Sequence, residues 1–159
     1  MNTLGSQESY YYRVYFIDHT TAFPDERVAV GYALPGSAVQ LVDDGGNPVL
    51  AGEIGEIRVT SRYLAAGYWR KPELTATRFL EASTGGEERH FLTGDLGQLQ
   101  PDGQLLYWGR KDYQIKVRGF QVDVNDVEKA LHNVEGINAA AVTGAADGDG
   151  TTRLIAYIA

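Results

Sequence analysis

An α+β chain built mainly from antiparallel sheet is what the sequence predicts, and three observations carry it. From Val28 onward, short apolar runs alternate with turn residues, as in "AVQLVD", "DGGNPV" and "GEIGEIRVTS". Later, "VNDVEKALHNVEG" places Val124, Val127, Leu131 and Val134 at the spacings of three and four that make one helical face. Last, "INAAAVTGA" and "TRLIAYIA" read as two strands joined through "ADGDG", so a small helix-and-strand lobe follows a sheet-rich one.

The elements can be justified in order. Asp44-Gly45-Gly46-Asn47 between two alternating segments predicts a hairpin, because glycine supplies the positive φ that a tight connection needs. "KPELTATRFL" breaks the alternation. Pro72 suits a first helical turn, Glu73 complements the positive N-terminal end, and Leu74 and Phe79 fall toward one side, which predicts one short helix. "ASTGGEERH", residues 82–90, reads as a polar loop, with the sheet resuming at Phe91. Beyond Pro101-Asp102-Gly103, strand alternation puts Gln114, Lys116 and Arg118 on one face and Tyr113, Ile115 and Val117 on the other. Gly136 stands where a helix C-terminal cap belongs, and a lobe boundary falls near Lys111 and Asp112.

Composition limits the functions that need weighing. The 159 residues carry a formal charge of −7, which disfavours long-range attraction to nucleic acid or an anionic membrane. An anionic ligand therefore needs a local positive site. There is no cysteine, which removes disulfides, thiolate metal sites and cysteine nucleophiles. His19, His90 and His132 lie far apart without metal-ligand spacing and read as loop or surface residues. No signal peptide and no apolar run long enough to span a bilayer are seen, so a cytoplasmic protein is expected.

One stretch, 92–119, is unlike a solvated surface. Asp95 sits in Thr-Gly-Asp, which is a common turn composition. A carboxylate can also accept from two adjacent hydroxyls, as the diol of a ribose requires. Arg110, Lys111, Lys116 and Arg118, four cations within nine residues of an acidic chain, fit a site for phosphate or carboxylate better than a solvated strand, with Arg110 offering a planar fork.

"FLTGDLGQLQPDGQLLYWGRKDYQIKVRGFQVDVNDVE" resembles the core of the adenylate-forming enzymes, the superfamily of nonribosomal peptide synthetase adenylation domains, acyl-CoA synthetases and beetle luciferases. "GEIRVTSRYLAAGYWRKPELTATRF" resembles the block that precedes it. "NTLGSQES" resembles a segment that in relatives reads Asn-x-Tyr-Gly-Pro-Thr-Glu, with Ser6 and Gln7 departing from the Pro and Thr. The resemblance covers nearly the whole chain.

It implies a barrel-like antiparallel subdomain from the end of a large lobe, then the start of a small α+β lobe. Residues 1–27 would end the large-lobe core, 28–111 would form the barrel-like part with the ribose-binding Asp95, and 112–159 would begin the C-terminal lobe. It implies ATP and magnesium as cofactors. Asp95 would bind the ribose hydroxyls, Arg110 would support the ribose and phosphate, Gln7 would lie near the phosphate, and Glu8 would help hold the metal. Asp112 would be the hinge between an adenylating and a thioester-forming pose. Lys116, Gly119 and Gln121 would belong to the loop facing the site in the second pose, where Lys116 would serve the second half-reaction.

The family's phosphate loop and adenylation lysine are expected outside Met1–Ala159, so the segment alone is expected to be inactive. The implied partners are a small carboxylic acid, a carrier domain bearing phosphopantetheine, and the rest of the parent adenylation domain. The alternatives are a free-standing acyl-CoA or acyl-carrier ligase, which Gln121 in "GFQV" keeps open, and a non-catalytic nucleotide-binding or carrier-docking module.

Overall fold

The computed structural model describes residues 1–21, 28–82, 87–117, 120–146 and 152–159, and of Gln121 the backbone alone. The chain divides into two compact units, Met1–Trp108 and Gly109–Ala159.

The first unit opens with a hairpin of β1 (Asn2–Ser6) and β2 (Tyr10–Tyr15) around the turn Gln7-Glu8-Ser9. The short β3 (Tyr32–Ala33) pairs with β2 and completes a three-stranded sheet. A second sheet contains β4 (Ser37–Val42), β5 (Ile54–Ser61), β6 (Phe79–Glu81) and β7 (Arg89–Leu99) in the order β4-β5-β7-β6, with β8 (Leu105–Arg110) pairing on β7. The two sheets are linked where Val30 N–H donates to Leu105 O at 2.8 Å and Leu105 N–H to Gly31 O at 3.1 Å. The antiparallel, barrel-like character that the resemblance implied is present, and β1 and β2 belong to the same unit as the second sheet. Its core is Tyr12, Leu41, Ile57, Val59, Phe79, Phe91 and Leu105 from the strands, with Val30 and Leu64 from the connecting segments.

The predicted hairpin turn forms as expected. Asp43 N–H donates to Asn47 O at 2.8 Å, and the Asp43 carboxylate accepts from Gly45 and Asn47 N–H. The Asn47 N–H chiefly, with the other amides of the turn, holds the Asp43 carboxyl below its usual value. The predicted short helix is α1 (Pro72–Arg78), with Pro72 in its first turn. Phe79 departs from the expectation. It leaves the helix as the first residue of β6 and is buried against Tyr68 and Phe91, whereas Leu74 is exposed. A β-strand start turns the aromatic into the core instead of continuing a helix that buries none of its residues.

The sheet also resumes earlier than expected, at Arg89, which makes His90 a strand residue, half-buried, with Nδ1 2.7 Å from the Thr60 hydroxyl. Burial first, then the Arg58 charge, lower its pKa, against a smaller opposing pull from Glu88. The folded state thus resists the proton that the unfolded chain takes up. Stability is therefore full above the ordinary His value of about 6.5 and falls as pH drops through it. Thermal melts from pH 8 to 5 should show a shallower decline in His90→Gln than in the parent sequence.

The second unit holds a 3-10 turn (Lys111–Tyr113), the hairpin of β9 (Gln114–Val117) and β10 (Phe120–Asp123), the helix α2 (Val124–His132), and the hairpin of β11 (Ala140–Ala146) and β12 (Thr152–Ile158). The Asp123 carboxylate caps α2 by accepting from Asn125 N–H at 2.9 Å, which explains why the helix starts there. The helix stops earlier than its apolar spacing suggested. Asn133 is its C-terminal cap, Gly136 lies in the turn beyond, and Val134 is exposed. His132 is in the last turn of α2, and His19 is an exposed loop residue. Tyr113, assigned to the apolar face of a strand, is instead in the 3-10 turn and exposed, while Ile115 packs toward Gly144. Among the described residues, no helix is long and apolar enough to cross a membrane.

Candidate functional site

Asp95 is not a turn residue. It lies inside the 11-residue β7 and is only 9% exposed. The pairing of β5 with β7 explains how a buried strand residue can still be presented. Glu56 pairs with Leu96 and Arg58 with Leu92, so Ile57 alone faces Thr93, Gly94 and Asp95. The extra residues form a bulge, and Gly94 adopts φ 76°, the left-handed conformation that glycine takes without a Cβ penalty. Thr-Gly-Asp is therefore a loop-like composition embedded in a strand.

The bulge is held by buried polar groups. The Thr93 hydroxyl donates to Ile57 O and accepts from Asp95 N–H, both at 3.0 Å. Glu56 Oε1 accepts from Gly94 N–H at 3.0 Å and meets Arg78 Nη1 at 3.5 Å. On β8, the Tyr107 hydroxyl approaches Asp95 Oδ1 at 3.5 Å, a long contact compatible with an acceptor shared with a ligand.

Tyr12 lies beneath these groups with 0% exposure. Burial, then the charge of Asp95 and the neighbouring Tyr107, raise its pKa well above the ordinary tyrosine value, so it keeps its proton at any working pH. Thr93 lies close enough to oppose this slightly, but its own proton is directed to Ile57 O, and the Tyr12 hydroxyl makes no bond of ordinary geometry among the described residues. Tyr12→Phe removes that desolvated hydroxyl and keeps the ring. Urea titration should show stability unchanged or raised by about 1 kcal/mol.

The other predicted residues are placed as follows. Gln7 and Glu8 occupy the β1–β2 turn, Gln7 exposed and Glu8 half-buried, with Glu8 Oε1 accepting from the Tyr68 hydroxyl at 2.9 Å. Arg110, at the end of β8, pairs with Asp112 at 2.7 Å within the second unit. Lys116 is exposed on β9 with Gln121 as its register partner on β10. Arg118 and Gly119 lie outside the described residues. The described residues contain no group of three or more His, Asp or Glu able to cage a metal. A single hard carboxylate such as Glu8 suits magnesium, which is commonly held by one or two carboxylates together with substrate phosphates.

Sequence reasoning missed Glu56, Thr93, Tyr107 and Tyr12. Tyr107 was within reach, since a strand pair folded back at Pro101-Asp102-Gly103 brings "LLYW" beside "TGDL". Glu56 gave no local signal, because its partner is the backbone of a residue 38 positions away.

Comparison with known proteins gives the same family from two directions. No family model matches the chain. Tyrocidine synthase 2 of Brevibacillus parabrevis is 37% identical over 158 residues, 99% of this chain and 4% of that protein. Bacitracin synthase 3 of Bacillus licheniformis is 37% identical over 134 residues, 84% of this chain and 2% of that protein. Among solved structures, holo-AB3403, a four-domain nonribosomal peptide synthetase bound to AMP and glycine, matches with a TM-score of 0.71 and 30% identity over 99% of this chain and 12% of that one. The amide bond synthetase McbA of Marinactinospora thermotolerans matches at 0.65 with 32% identity, covering 98% of this chain and 30% of that one. The chain thus spans a small part of the relatives it matches. It belongs to the adenylate-forming superfamily, as a segment of an adenylation domain of the nonribosomal peptide synthetase kind.

Proposed function

We propose that this segment serves an ATP-dependent adenylation domain that activates an amino acid as its acyl-AMP and then loads it onto the phosphopantetheine thiol of a carrier domain. The observation that carries the reading is the buried Asp95 carboxylate in the β7 bulge beside the Tyr107 hydroxyl, an acceptor preorganised for a vicinal diol.

In this reading Asp95 accepts from the two ribose hydroxyls and fixes the nucleotide. The substrate carboxylate attacks the α-phosphorus and forms a C–O–P linkage while the bond to pyrophosphate breaks. Gln7 and Glu8 share one tight turn, so β1 and β2 set both together. Gln7 would lie near the phosphate, and Glu8 would supply an oxygen ligand to magnesium, which when bound offsets phosphate charge. Arg110 would donate its fork to the ribose and phosphate side. Its ion pair with Asp112 gives that step a cost, since the guanidinium must share or exchange partners. Asp112 would act as the hinge, and Lys116, Gly119 and Gln121 would face the thiol-accepting site after rotation of the small lobe.

The test is ATP–pyrophosphate exchange with the intact parent chain across amino, aryl and fatty acids, followed by acceptor trapping with carrier domain or CoA. Exchange dependent on an amino acid, with transfer to the carrier, is expected. The isolated 159-residue chain should stay at background, because groups that act as a unit lose activity together. Exchange only with fatty acids, and release as a CoA thioester, would overturn the reading in favour of a free-standing ligase.

A further inference from the structure

We propose that Glu56 is the positioning residue of the nucleotide site, acting through the backbone of Gly94 to hold Asp95 at the angle the ribose needs, with Arg78 as its charge partner. The inference rests on the reading of Asp95 as the diol acceptor.

A bulge creates a specific problem. Where three residues of β7 face one of β5, the ladder cannot satisfy every amide, and a buried orphan N–H is costly. The Gly94 N–H meets this by donating to Glu56 Oε1 at 3.0 Å. Glu56 is itself a strand residue of β5, one place before Ile57 and only 6% exposed, so its side chain has little freedom to follow a moving partner. Arg78, in the last turn of α1, reaches the same oxygen at 3.5 Å. The carboxylate is therefore fixed from two sides, by a backbone donor and by a cation carried on the helix.

The residue after Gly94 is Asp95, whose own N–H is held by Thr93. Two successive amides, one on each side of the Gly94 Cα, are thus held, and with them the backbone that carries the Asp95 side chain. A burial role alone does not call for this arrangement. A carboxylate that only filled space would be expected to point toward solvent or to pair in a more exposed setting, because desolvating it is unfavourable. Here the desolvated charge is spent on an amide adjacent to the ligand-facing residue, in a glycine with φ 76° that any relaxation of the bulge would change.

The experiment uses the intact parent chain and compares ATP with 2′-deoxy-ATP as the nucleotide in exchange assays, alongside melting temperature. Glu56→Gln keeps an acceptor oxygen for Gly94 N–H and loses only the charge attraction to Arg78. It should melt lower yet keep its discrimination between the two nucleotides. Glu56→Ala removes the acceptor, and its discrimination should fall by about tenfold, through KM for ATP rather than through kcat. Glu56→Asp, one methylene shorter, serves if the alanine variant does not fold, and should lose discrimination to an intermediate degree. A folded Glu56→Ala or Glu56→Asp that discriminates like the unaltered chain overturns the proposal, because a merely structural residue would move stability alone. Asp95→Ala run in parallel separates the two readings. If Asp95→Ala loses discrimination and Glu56→Ala keeps it, the clamp falls and the diol acceptor stands. If Asp95→Ala keeps it, both fall.

Discussion

Asp95→Ala in the intact parent chain is expected to weaken ATP binding by roughly 2 to 5 kcal/mol, the range of one or two charge-assisted hydrogen bonds. That is a loss of affinity of about thirtyfold to a few thousandfold. The sequence alone suggests that such a change leaves the fold untouched, as at a loop position. Its place in β7 alters that expectation, because the variant also takes an acceptor from the buried neighbourhood of Tyr107 and Tyr12. Melting temperature should therefore fall as well. The two effects are separated by Asp95→Asn, which keeps the volume and one acceptor oxygen. It should recover most of the stability and little of the affinity. Isothermal titration and thermal melts on the same preparations check both, and an Asp95→Ala protein that melts lower but binds ATP normally would make Asp95 a structural residue.

Gly5→Ala is expected to disrupt the β1–β2 hairpin, at a cost of about 3 kcal/mol or more. A Cβ at Gly5 would lie 2.2 Å from Tyr10 O and 2.7 Å from Tyr11 Cα. Both are backbone atoms of the paired strand, so no rotamer change can relieve the contact. The register of the hairpin shifts between Leu4 and Gly5, so the irregularity of the pairing falls at this glycine. Because the same hairpin carries Gln7 and Glu8, the change should also raise the magnesium-nucleotide concentration needed for exchange. A denaturant midpoint unchanged from the parent would show that the strands separate easily at this point.

Much of the architecture was legible because it rests on local rules. The turn at Asp43–Asn47, the helix begun by Pro72, and the strands β11 and β12 follow from glycine placement, proline geometry and alternation within a few residues. The errors share a different cause. Phe79 and Tyr113 sit at element ends and Gly136 lies beyond one, where a spacing pattern continues on paper after the backbone has changed direction. Asp95 was legible as a ligand residue and not as a strand residue, since Thr-Gly-Asp has turn composition and the bulge that reconciles the two depends on the register of β5. Glu56 and Tyr12 were hidden for the same reason: their chemistry lies in partners far away along the chain.

Arg13 shows what such distance means in time. The residue is 4% exposed, and its guanidinium donates through Nη1 to Gly31 O at 2.9 Å and to Gly103 O at 3.0 Å, the latter 90 positions later. On a ribosome adding about 5–20 residues per second, the second acceptor is not made until roughly 5 to 18 seconds after Arg13 itself. During that interval a cation that the finished barrel encloses must stay hydrated, and its neighbour Tyr12, at the centre of the core, cannot be sealed in. A strand of the first unit is thus locked only when an acceptor far along the chain arrives. The nascent first unit stays open until the Pro101-Asp102-Gly103 turn has been made and folded back to meet it.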